Sequence, residues 1–365
     1  MARRGAGRAR RRAAGRARVE DGLRGRPRPG DAGCRGPDRS RLRTADGGAL
    51  VSYLALLIIS GILAVILTPA VRALGQRFGV LDVPGARKIH TVSVPRIGGV
   101  SVTLAAVLGL AAATAAGWVA VADLEGWLPA LLGGLIVFAV GLRDDLRPVR
   151  PAVKLGCQVT AAGVAVALGV RIDHVTLLGT THALGVLAVP LTMLWIVGLS
   201  NAFNLMDGLD GLATGLAIIA AATCAAVSIS RGDSQGGLLL VALLGALCGF
   251  LPYNFNPATI FLGDSGSLVV GYVLAVTAVT GWQKGATALA VAVPLLIFAL
   301  PISETVLSVV RRTRDLGIRH VFSADQQHIH YRLLGLGLSH RGAVLLLYVV
   351  SLALALLALA TMQLR

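Results

Sequence analysis

Long apolar runs recur along the chain, separated by short polar segments. A helix needs about 20 apolar residues to cross a membrane, and ten runs approach or reach that length. They are residues 49–71, 97–120, 127–142, 154–170, 184–200, 211–229, 237–253, 266–281, 285–310 and 343–363. These continuous runs lack the alternating pattern of barrel strands. The pattern predicts an all-α polytopic membrane protein with about ten transmembrane helices.

Composition supports the membrane assignment. The 365 residues are 55% hydrophobic and 14% charged, whereas soluble domains average about 25% charged residues. Much of the net charge of +16 lies in residues 1–47, which hold 15 Arg and 5 acidic residues. We interpret this low-complexity tail as disordered or as a start-site artefact, and residues 48–365 as the integral membrane domain. The β-branched segment 171–183, with its glycine turn, predicts an external hairpin.

The charges of the loops predict the orientation. Lys and Arg concentrate in cytoplasmic loops, and the loops after the first, third, fifth, seventh and ninth runs hold 15 of them, against three in the other loops. We therefore expect the odd-numbered loops to face the cytoplasm from the inner (plasma) membrane. This orientation places both termini outside, and the basic tail with them, which the same rule disfavours.

Acidic residues gather on the side of these basic loops. Of thirteen acids beyond the tail, eight lie in or beside odd-numbered loops: Asp82, Asp144, Asp145, Asp207, Asp210, Asp264, Asp315 and Asp325. The loops that hold Asp207, Asp210 and Asp264 contain no Lys or Arg. Because a charge near hydrocarbon is costly, these carboxylates need a counter-charge. We infer a divalent cation.

The first motif is the Asp144–Asp145 pair, which closes the third run. The helix macrodipole disfavours acids at a helix C-terminus, and adjacent carboxylates repel each other. A functional role would explain this position. A solvated acidic turn flanked by Arg143 and Arg147 is the alternative.

The second motif contains two asparagines and two aspartates, Asn201, Asn204, Asp207 and Asp210. The aspartates are three apart, so on a helical turn they would share one face. A helix N-cap with its turn is the alternative, but it accounts for one aspartate and leaves the other polar residues unexplained.

The third motif is Asp264, followed by a Ser-Gly-Ser turn that opens the eighth run. Free N–H groups at a helix start suit a phosphate, and a carboxylate there suits Mg²⁺. Simple capping by Asp264 or Ser265 is the alternative.

Two further loops offer cationic side chains. His328 and His330 are two residues apart, so they diverge on a helix and converge on an extended or looped segment. This spacing is a weak zinc signal, and with Arg332 nearby a diphosphate-binding role fits better than zinc. A purely structural role for the two histidines is the alternative. Lys88 and His90 in the first loop suit an anionic substrate, with membrane anchoring as the alternative.

As a set, these motifs resemble the polyprenyl-phosphate N-acetylhexosamine-1-phosphate transferases. The resemblance extends from about residue 50 to 341 and rests on Arg87-Lys-Ile-His90, Asp144-Asp145, Asn201-x-x-Asn-x-x-Asp-Gly-x-Asp-Gly, Phe261-Leu-Gly-Asp-Ser-Gly-Ser and His328-Ile-His330. It implies an enzyme with ten or eleven transmembrane helices and cytoplasmic catalytic loops. Such an enzyme uses Mg²⁺ or Mn²⁺, makes a polyprenyl-diphosphate-sugar and releases UMP.

The resemblance also implies roles for individual residues. Asp264 and Asp207 would hold the metal. Asp144, Asp145 and Asp264 would be catalytic, with Asp144 meeting the lipid phosphate as the base that readies it. The substrate-binding set would be Lys88, His90, Asn201, Asn204, Asp207, Asp210, His328, His330 and Arg332.

The last loop bears on the substrate. Its segment 325–332 resembles the branch that uses UDP-GlcNAc to begin a cell-envelope polysaccharide, although Tyr331 stands where many members carry His. Phospho-MurNAc-pentapeptide translocase is the alternative, and an ion-coupled transporter, with acids placed mid-membrane, is less favoured. Expected partners are UDP-GlcNAc, a polyprenyl phosphate and the membrane, with a second copy of the chain as a further candidate. Nucleic acid is not expected.

Overall fold

The computed structural model describes residues 39–83, 92–118, 121–177, 180–282, 289–316 and 328–363. The chain divides into two compact units, Met1–Leu50 and Val51–Arg365. Most of the first unit lies outside the described residues, so the boundary predicted after residue 47 stays a prediction. The second unit is built almost entirely of helices.

Twelve α-helices account for most of the described ranges. They are α1 (Arg39–Arg77), α2 (Gly98–Ala115), α3 (Leu128–Leu146), α4 (Pro151–Ala167), α5 (Ala188–Met206), α6 (Leu212–Ser230), α7 (Ser234–Asn254), α8 (Gly263–Trp282), α9 (Leu289–Ile297), α10 (Ala299–Leu316), α11 (Ile329–Gly335) and α12 (His340–Gln363). Short 3₁₀ turns, Val121–Trp127 and Gly185–Leu187, lead into α3 and α5.

Eight helices in the described part of the chain are long and apolar enough to cross a membrane, namely α1 from Leu50 onward, α2, α3, α5, α6, α7, α8 and α12. The apolar helix α4 has 17 residues and is shorter than these eight. The all-α polytopic class is therefore confirmed. The number of spans, ten or eleven, stays a prediction.

The ninth apolar run, predicted as one helix, divides into two. Within the described part of this run, which starts at residue 289, the chain forms α9 and then α10, and the two helices meet at Phe298. Pro301 has no N–H to donate to the carbonyl of Ile297, and a proline ring sterically opposes that carbonyl. The helix therefore breaks three residues before Pro301.

Helix α8 lies at the centre of the bundle. In the apolar stretch within Gly263–Gly281, 83% of the residues are buried, whereas 17% are buried in the apolar part of α1. Helices α2, α3, α5 and α6 all pack against it. Small residues permit this close packing: a Cβ on Gly271 would lie 2.7 Å from the carbonyl oxygen of Leu199 in α5.

Two short antiparallel pairs accompany the helices. Strand β1 (Leu81–Asp82) pairs with β2 (Val94–Pro95), and β3 (His174–Leu177) pairs with β4 (Thr180–Ala183). The second pair confirms the hairpin predicted over 171–183.

The segment after β2 reaches the start of α8. The carbonyl of Pro95 accepts the N–H of Phe261 at 2.8 Å, and the N–H of Gly99 donates to the carbonyl of Leu262 at 2.7 Å. These backbone bonds hold the first loop against the loop that precedes α8, so the two lie at one end of the bundle.

Candidate active site

A carboxylate from α3 holds the first turn of α8. Asp145 is 3% exposed, and its two oxygens accept the N–H groups of Asp264 and Ser265, each at 2.9 Å. An aspartate at a helix N-terminus satisfies free N–H groups and interacts favourably with the helix dipole. These are N–H groups that the sequence offers to a phosphate. Because both groups already donate to Asp145, the expectation that they bind a phosphate is wrong.

Arg96 secures the C-terminus of α3. Its Nε donates to the carbonyl of Asp145 at 2.9 Å, and its Nη2 donates to the carbonyl of Asp144 at 2.7 Å. The last carbonyls of a helix lack intrahelical partners and form the negative end of its dipole. The guanidinium therefore offsets the cost of ending α3 on two aspartates. From the sequence alone, Arg96 is only one of the basic residues of the first loop, and its role at the end of α3 is not predicted.

Lys154, near the start of α4, joins two of the predicted site carboxylates. Its Nζ lies 3.0 Å from Asp144 Oδ2 and also contacts Asp264 Oδ2. The other oxygen of Asp144 accepts the N–H of Val149 at 2.6 Å. The loop of Asp264 has no Lys or Arg, and the cationic partner of Asp264 is instead a lysine 110 residues away in the sequence.

Asn204 connects α5 to the same carboxylate. Its Nδ2 donates to Asp264 Oδ1 and to Ser267 Oγ, each at 3.0 Å. Asp264 thus receives an ammonium on one oxygen and an amide on the other. The ends of α3 and α5 and the starts of α4 and α8 therefore meet at one polar site, as expected if the loops after the first, third, fifth and seventh runs share one face.

Asp207 adds a further negative charge beside this site. It follows the last residue of α5 and lines a cleft of about 270 Å³. Burial raises the pKa of Asp207 well above its usual range, and the carboxylates of Asp264 and Asp145 raise it further, against the hydrogen bond from the Gly263 N–H. A bound cation would relieve this repulsion.

Eight residues from three segments line the cleft: Asn204, Leu205, Asp207, Gly208, Arg312, His328, His330 and Tyr331. The sequence analysis missed Arg312, which it treated only as one of the basic residues of a loop. It noted Tyr331 only as a difference from the family. The signal for Tyr331 was its place within the histidine motif. Arg312 carries no such signal, because its position depends on how α10 packs.

His328 and His330 meet although they are two residues apart. His328 precedes α11 in an extended conformation, with φ −61° and ψ 152°, and His330 lies in the first turn of the helix. Their rings are stacked, with centroids 5.5 Å apart and planes 15° apart. Because the backbone changes from extended to helical between the two residues, their rings can converge. This agrees with the prediction that they converge only on an extended or looped segment.

Asn201 joins two helices and is not among the residues that line the cleft. Its Nδ2 donates to Gln158 Oε1 at 2.7 Å, and Gln158 Nε2 lies 3.4 Å from Asn201 Oδ1. This reciprocal amide pair holds α4 to α5, one turn away from Asn204. The substrate-binding role predicted for Asn201 stays a prediction.

Asp210 has different surroundings from Asp207. Its Oδ2 accepts Asn256 Nδ2 at 2.9 Å and the N–H of Ala258 at 3.1 Å. Because α5 ends at Met206, residues 207–211 form a turn instead of a helix. The shared helical face expected for Asp207 and Asp210 is therefore wrong.

Some predicted residues cannot be placed at the site. Lys88 and His90 lie outside the described residues. Arg332 is exposed and is not among the residues that line the cleft. The roles of all three stay predictions.

The described residues fit a magnesium ion. No three His, Cys, Asp or Glu side chains among them form a group that could hold a metal alone. Mg²⁺, however, usually takes one or two carboxylates and completes its shell with water and substrate phosphates. Asp207 and Asp264 are candidates for such a pair, since they are close enough for the charge of Asp264 to raise the pKa of Asp207. The predicted metal ligands are therefore chemically suitable.

We predict that Asp207→Asn stabilises the metal-free protein and lowers turnover. A raised folded-state pKa means that the unfolded chain ionises first, so the free energy of unfolding falls as pH rises from about 4 through the folded-state value. Asparagine removes this cost. In EDTA at pH 7.5 we expect the apparent Tm to rise by about 2–4 °C, with a smaller Tm increase on adding Mg²⁺ than in the wild type.

Asp210→Asn is the matched control, because Asp210 lies on the same turn. Its Oδ2 accepts from both Asn256 and Ala258, and an uncharged amide oxygen is a weaker acceptor for them. Its apparent Tm should fall. If Asp207→Asn lowered the Tm in EDTA as well, Asp207 would be a stabilising carboxylate, and its assignment as a repelled metal ligand would be incorrect.

The fold and site together define a class: a polytopic helical membrane protein with clustered carboxylates, a lysine and an arginine-lined cleft at one end of the bundle. That combination suits an enzyme that handles phosphorylated substrates at a membrane surface.

Comparison with known proteins identifies the family. The model described as "Glycosyl transferase family 4" matches residues 127–282. A Bacillus subtilis protein named "Probable undecaprenyl-phosphate N-acetylglucosaminyl 1-phosphate transferase" is 35% identical over 304 residues, 82% of each chain. The "Decaprenyl-phosphate N-acetylglucosaminephosphotransferase" of Mycolicibacterium smegmatis is 36% identical over 340 residues, 84% of this chain and 82% of that one. The chain belongs to glycosyl transferase family 4.

A different branch matches over a shorter stretch. A Staphylococcus aureus "Phospho-N-acetylmuramoyl-pentapeptide-transferase" is 38% identical over 143 residues, which is 39% of this chain and 42% of that one. Similarity to the N-acetylglucosamine branch therefore covers about twice as much of the chain. The chain is a multi-pass membrane transferase.

Proposed function

We propose that this enzyme transfers N-acetylglucosamine-1-phosphate from UDP-GlcNAc to a polyprenyl phosphate, in a Mg²⁺-dependent reaction that begins a cell-envelope polysaccharide. The products are polyprenyl-diphosphate-GlcNAc and UMP. The names of the relatives that match more than four fifths of the chain support this substrate pair. The observation that carries the proposal is the Asp144–Lys154–Asp264 cluster beside the cleft.

The chemistry requires a phosphoryl transfer. An oxygen of the lipid phosphate forms a bond to the phosphorus that carries the sugar, and the bond from that phosphorus to the bridging oxygen breaks. UMP leaves with the bridging oxygen. Such reactions depend on positioning and charge neutralisation more than on covalent chemistry by the protein. Mg²⁺, held by Asp207 and Asp264, would supply part of that neutralisation when bound.

Lys154 and Asp144 suit the lipid phosphate. A phosphate monoester has a second pKa near 6, so at neutral pH it is mostly dianionic and needs an orienting cation more than a base. Both Asp144 oxygens already accept hydrogen bonds, from Val149 and Lys154. We therefore propose that Asp144 orients the Lys154 ammonium towards the lipid phosphate, in place of acting as its base.

Arg312 and the histidines suit the nucleotide sugar. They line the cleft on the side of α10 and α11, next to Asp207. A guanidinium can bind phosphate oxygens in a bidentate manner, and imidazoles can hydrogen-bond sugar hydroxyl groups or phosphate oxygens. We therefore propose that the two substrates bind on either side of Asp264.

We place the site at the cytoplasmic face of the plasma membrane, because 15 Lys and Arg residues lie in the odd-numbered loops. The transporter alternative is disfavoured, because the described site acids lie at helix ends, and Glu304, inside α10, is paired with His328.

The test is a transfer assay on the full chain in lipid nanodiscs. With labelled UDP-GlcNAc, polyprenyl phosphate and Mg²⁺ we expect labelled lipid and one UMP per product, with loss of both in EDTA. UDP-MurNAc-pentapeptide should give at most about 1% of the rate, the discrimination expected when unmatched polar groups are buried. In intact vesicles, only inverted ones should react with added nucleotide sugar.

Three results would count against the proposal. Absence of lipid product in the complete mixture would remove the activity itself. Preference for the pentapeptide donor would reassign the substrate to the other branch, and reaction in right-side-out vesicles would reverse the orientation.

A further inference from the structure

A buried carboxylate lies behind the histidines of the cleft. Glu304 belongs to α10 and is 3% exposed. Its Oε1 lies 2.8 Å from His328 Nδ1, and its Oε2 accepts the N–H of Ile329 at 3.0 Å. Burying a carboxylate is costly unless it is paired and hydrogen-bonded, and both conditions are met here by the start of α11.

This contact determines which face of the His328 ring meets the cleft. An ionised carboxylate is an acceptor only, so the proton on His328 Nδ1 must point towards Glu304. The other ring nitrogen, Nε2, lies on the opposite side of the imidazole, and His328 lines the cleft. In many protein sites a carboxylate accepts a hydrogen bond from one ring nitrogen of a histidine. This bond orients the ring so that its other nitrogen faces the ligand.

The same carboxylate positions His330. By accepting the N–H of Ile329 it begins α11, and His330 in the first turn then stacks on His328. His330 is fully buried, and within the described part of the chain neither of its ring nitrogens has a hydrogen-bond partner. A Cβ on Gly208 would lie 2.4 Å from His330 Nε2, so glycine is what lets this ring reach the turn that carries Asp207.

The surroundings of His330 keep its ring neutral. Burial, and after it the neighbouring His328, lower the pKa of His330 to about 4, against Glu304. Both ring nitrogens are buried, so the ring meets the cleft as an uncharged group. Such a surface suits the sugar of a nucleotide sugar better than a phosphate, which forms its strongest hydrogen bonds with cations.

We propose that Glu304 is a positioning residue for the nucleotide sugar: it holds His328 with Nε2 towards the cleft and sets His330 against Gly208. This inference rests on the proposed function and deepens it, since it assigns the histidine side of the cleft to the sugar-phosphate donor. Glu304 touches no substrate itself.

The test is a double-mutant cycle on Glu304→Gln and His328→Ala. Glutamine has one acceptor oxygen, so it cannot serve both His328 and Ile329. Since hydrogen bonds to charged groups are the stronger ones, we expect KM for UDP-GlcNAc to rise about tenfold or more, while KM for polyprenyl phosphate stays within about twofold. If Glu304 acts mainly through His328, the double variant should lose clearly less than the sum of the two single losses. The remaining loss would reflect the bond from Ile329 to Glu304, which begins α11.

Ser308→Ala is the matched control. Ser308 is fully buried and lies 3.2 Å from the same His328 nitrogen, but its loss leaves the carboxylate in place. It should leave KM for UDP-GlcNAc within about twofold, as expected for loss of a weak contact. Additive losses in the Glu304 cycle, or equal increases in both KM values, would mean that Glu304 is merely structural.

A second measurement does not depend on turnover. In ¹⁵N-histidine NMR spectra of the wild type, assigned by loss of the His328 signal in His328→Ala, we expect His328 to carry a proton on Nδ1. A His328 protonated on Nε2 alone would overturn the positioning role even if transfer activity is found. Conversely, absent transfer with a protonated Nδ1 would refute the proposed function and leave the Glu304–His328 pairing intact.

Discussion

Asp264→Asn is expected to lower kcat for transfer by about a hundredfold to a thousandfold, the scale found when one preorganised group that stabilises charge at a reacting centre is removed. Asparagine has nearly the same shape, but it cannot pair with the Lys154 ammonium through a carboxylate or bind Mg²⁺ as an anion. The amide of Asn204 would also lose a charged acceptor. Initial rates of UMP release at saturating substrates measure this effect.

The matched control for the Asp264 change is Asp173→Asn. Asp173 is a half-exposed aspartate that lies 3.5 Å from Arg171, next to the β3–β4 hairpin. Its replacement should leave kcat within about twofold, as for most surface changes. A variant of Asp264 that keeps its Tm and retains more than about a tenth of wild-type kcat would contradict the assignment of Asp264 to the reacting centre.

Gly99→Ala is expected to lower the apparent Tm by about 5 °C or more and to reduce turnover. A Cβ on Gly99 would lie 2.0 Å from the backbone nitrogen of Gly266 and 2.4 Å from its Cα. Overpacking costs about 1–3 kcal/mol even where flexible side chains can yield, and here the obstacle is the backbone of α8. Moving α2 away would also strain the bond from the Gly99 N–H to Leu262 and displace the turn that carries Asp264.

Gly156→Ala serves as the control for this change. Gly156 lies within α4, with no atom in the space that a Cβ would enter. Since alanine favours helix by about 0.8–1 kcal/mol relative to glycine, its apparent Tm should be unchanged or slightly higher. Equal Tm values for Gly99→Ala and the wild type would show that α2 and α8 do not pack as closely as the structure places them.

Most of the helical architecture follows from local sequence properties. Nine of the ten apolar runs correspond to single helices, because hydropathy and length are properties of each run alone. The exception is the ninth run, where Pro301 removes one backbone hydrogen bond and the helix breaks at Phe298. Proline signals a kink in the sequence, but the position of the break depends on how the flanking helices pack.

The site was less predictable than the fold. The motifs place Asp144, Asp207 and Asp264 at helix ends of one face, which the structure brings together. Yet the partner of Asp264 is Lys154, which in the sequence reads as an ordinary basic residue near the start of a helix. An ion pair across 110 residues depends on the packing of α4 against its neighbours, and no local pattern encodes it.

The sequence by itself therefore determined the class of protein, the helices and the group of polar motifs that carry the chemistry. Only the tertiary structure decided what each carboxylate does. Asp145 caps α8, Asp210 holds the loop before α8, and Glu304 orients His328. The physical reason is that these carboxylates look alike in sequence, while the donors that reach them come from helix ends and loops that meet only when the bundle packs.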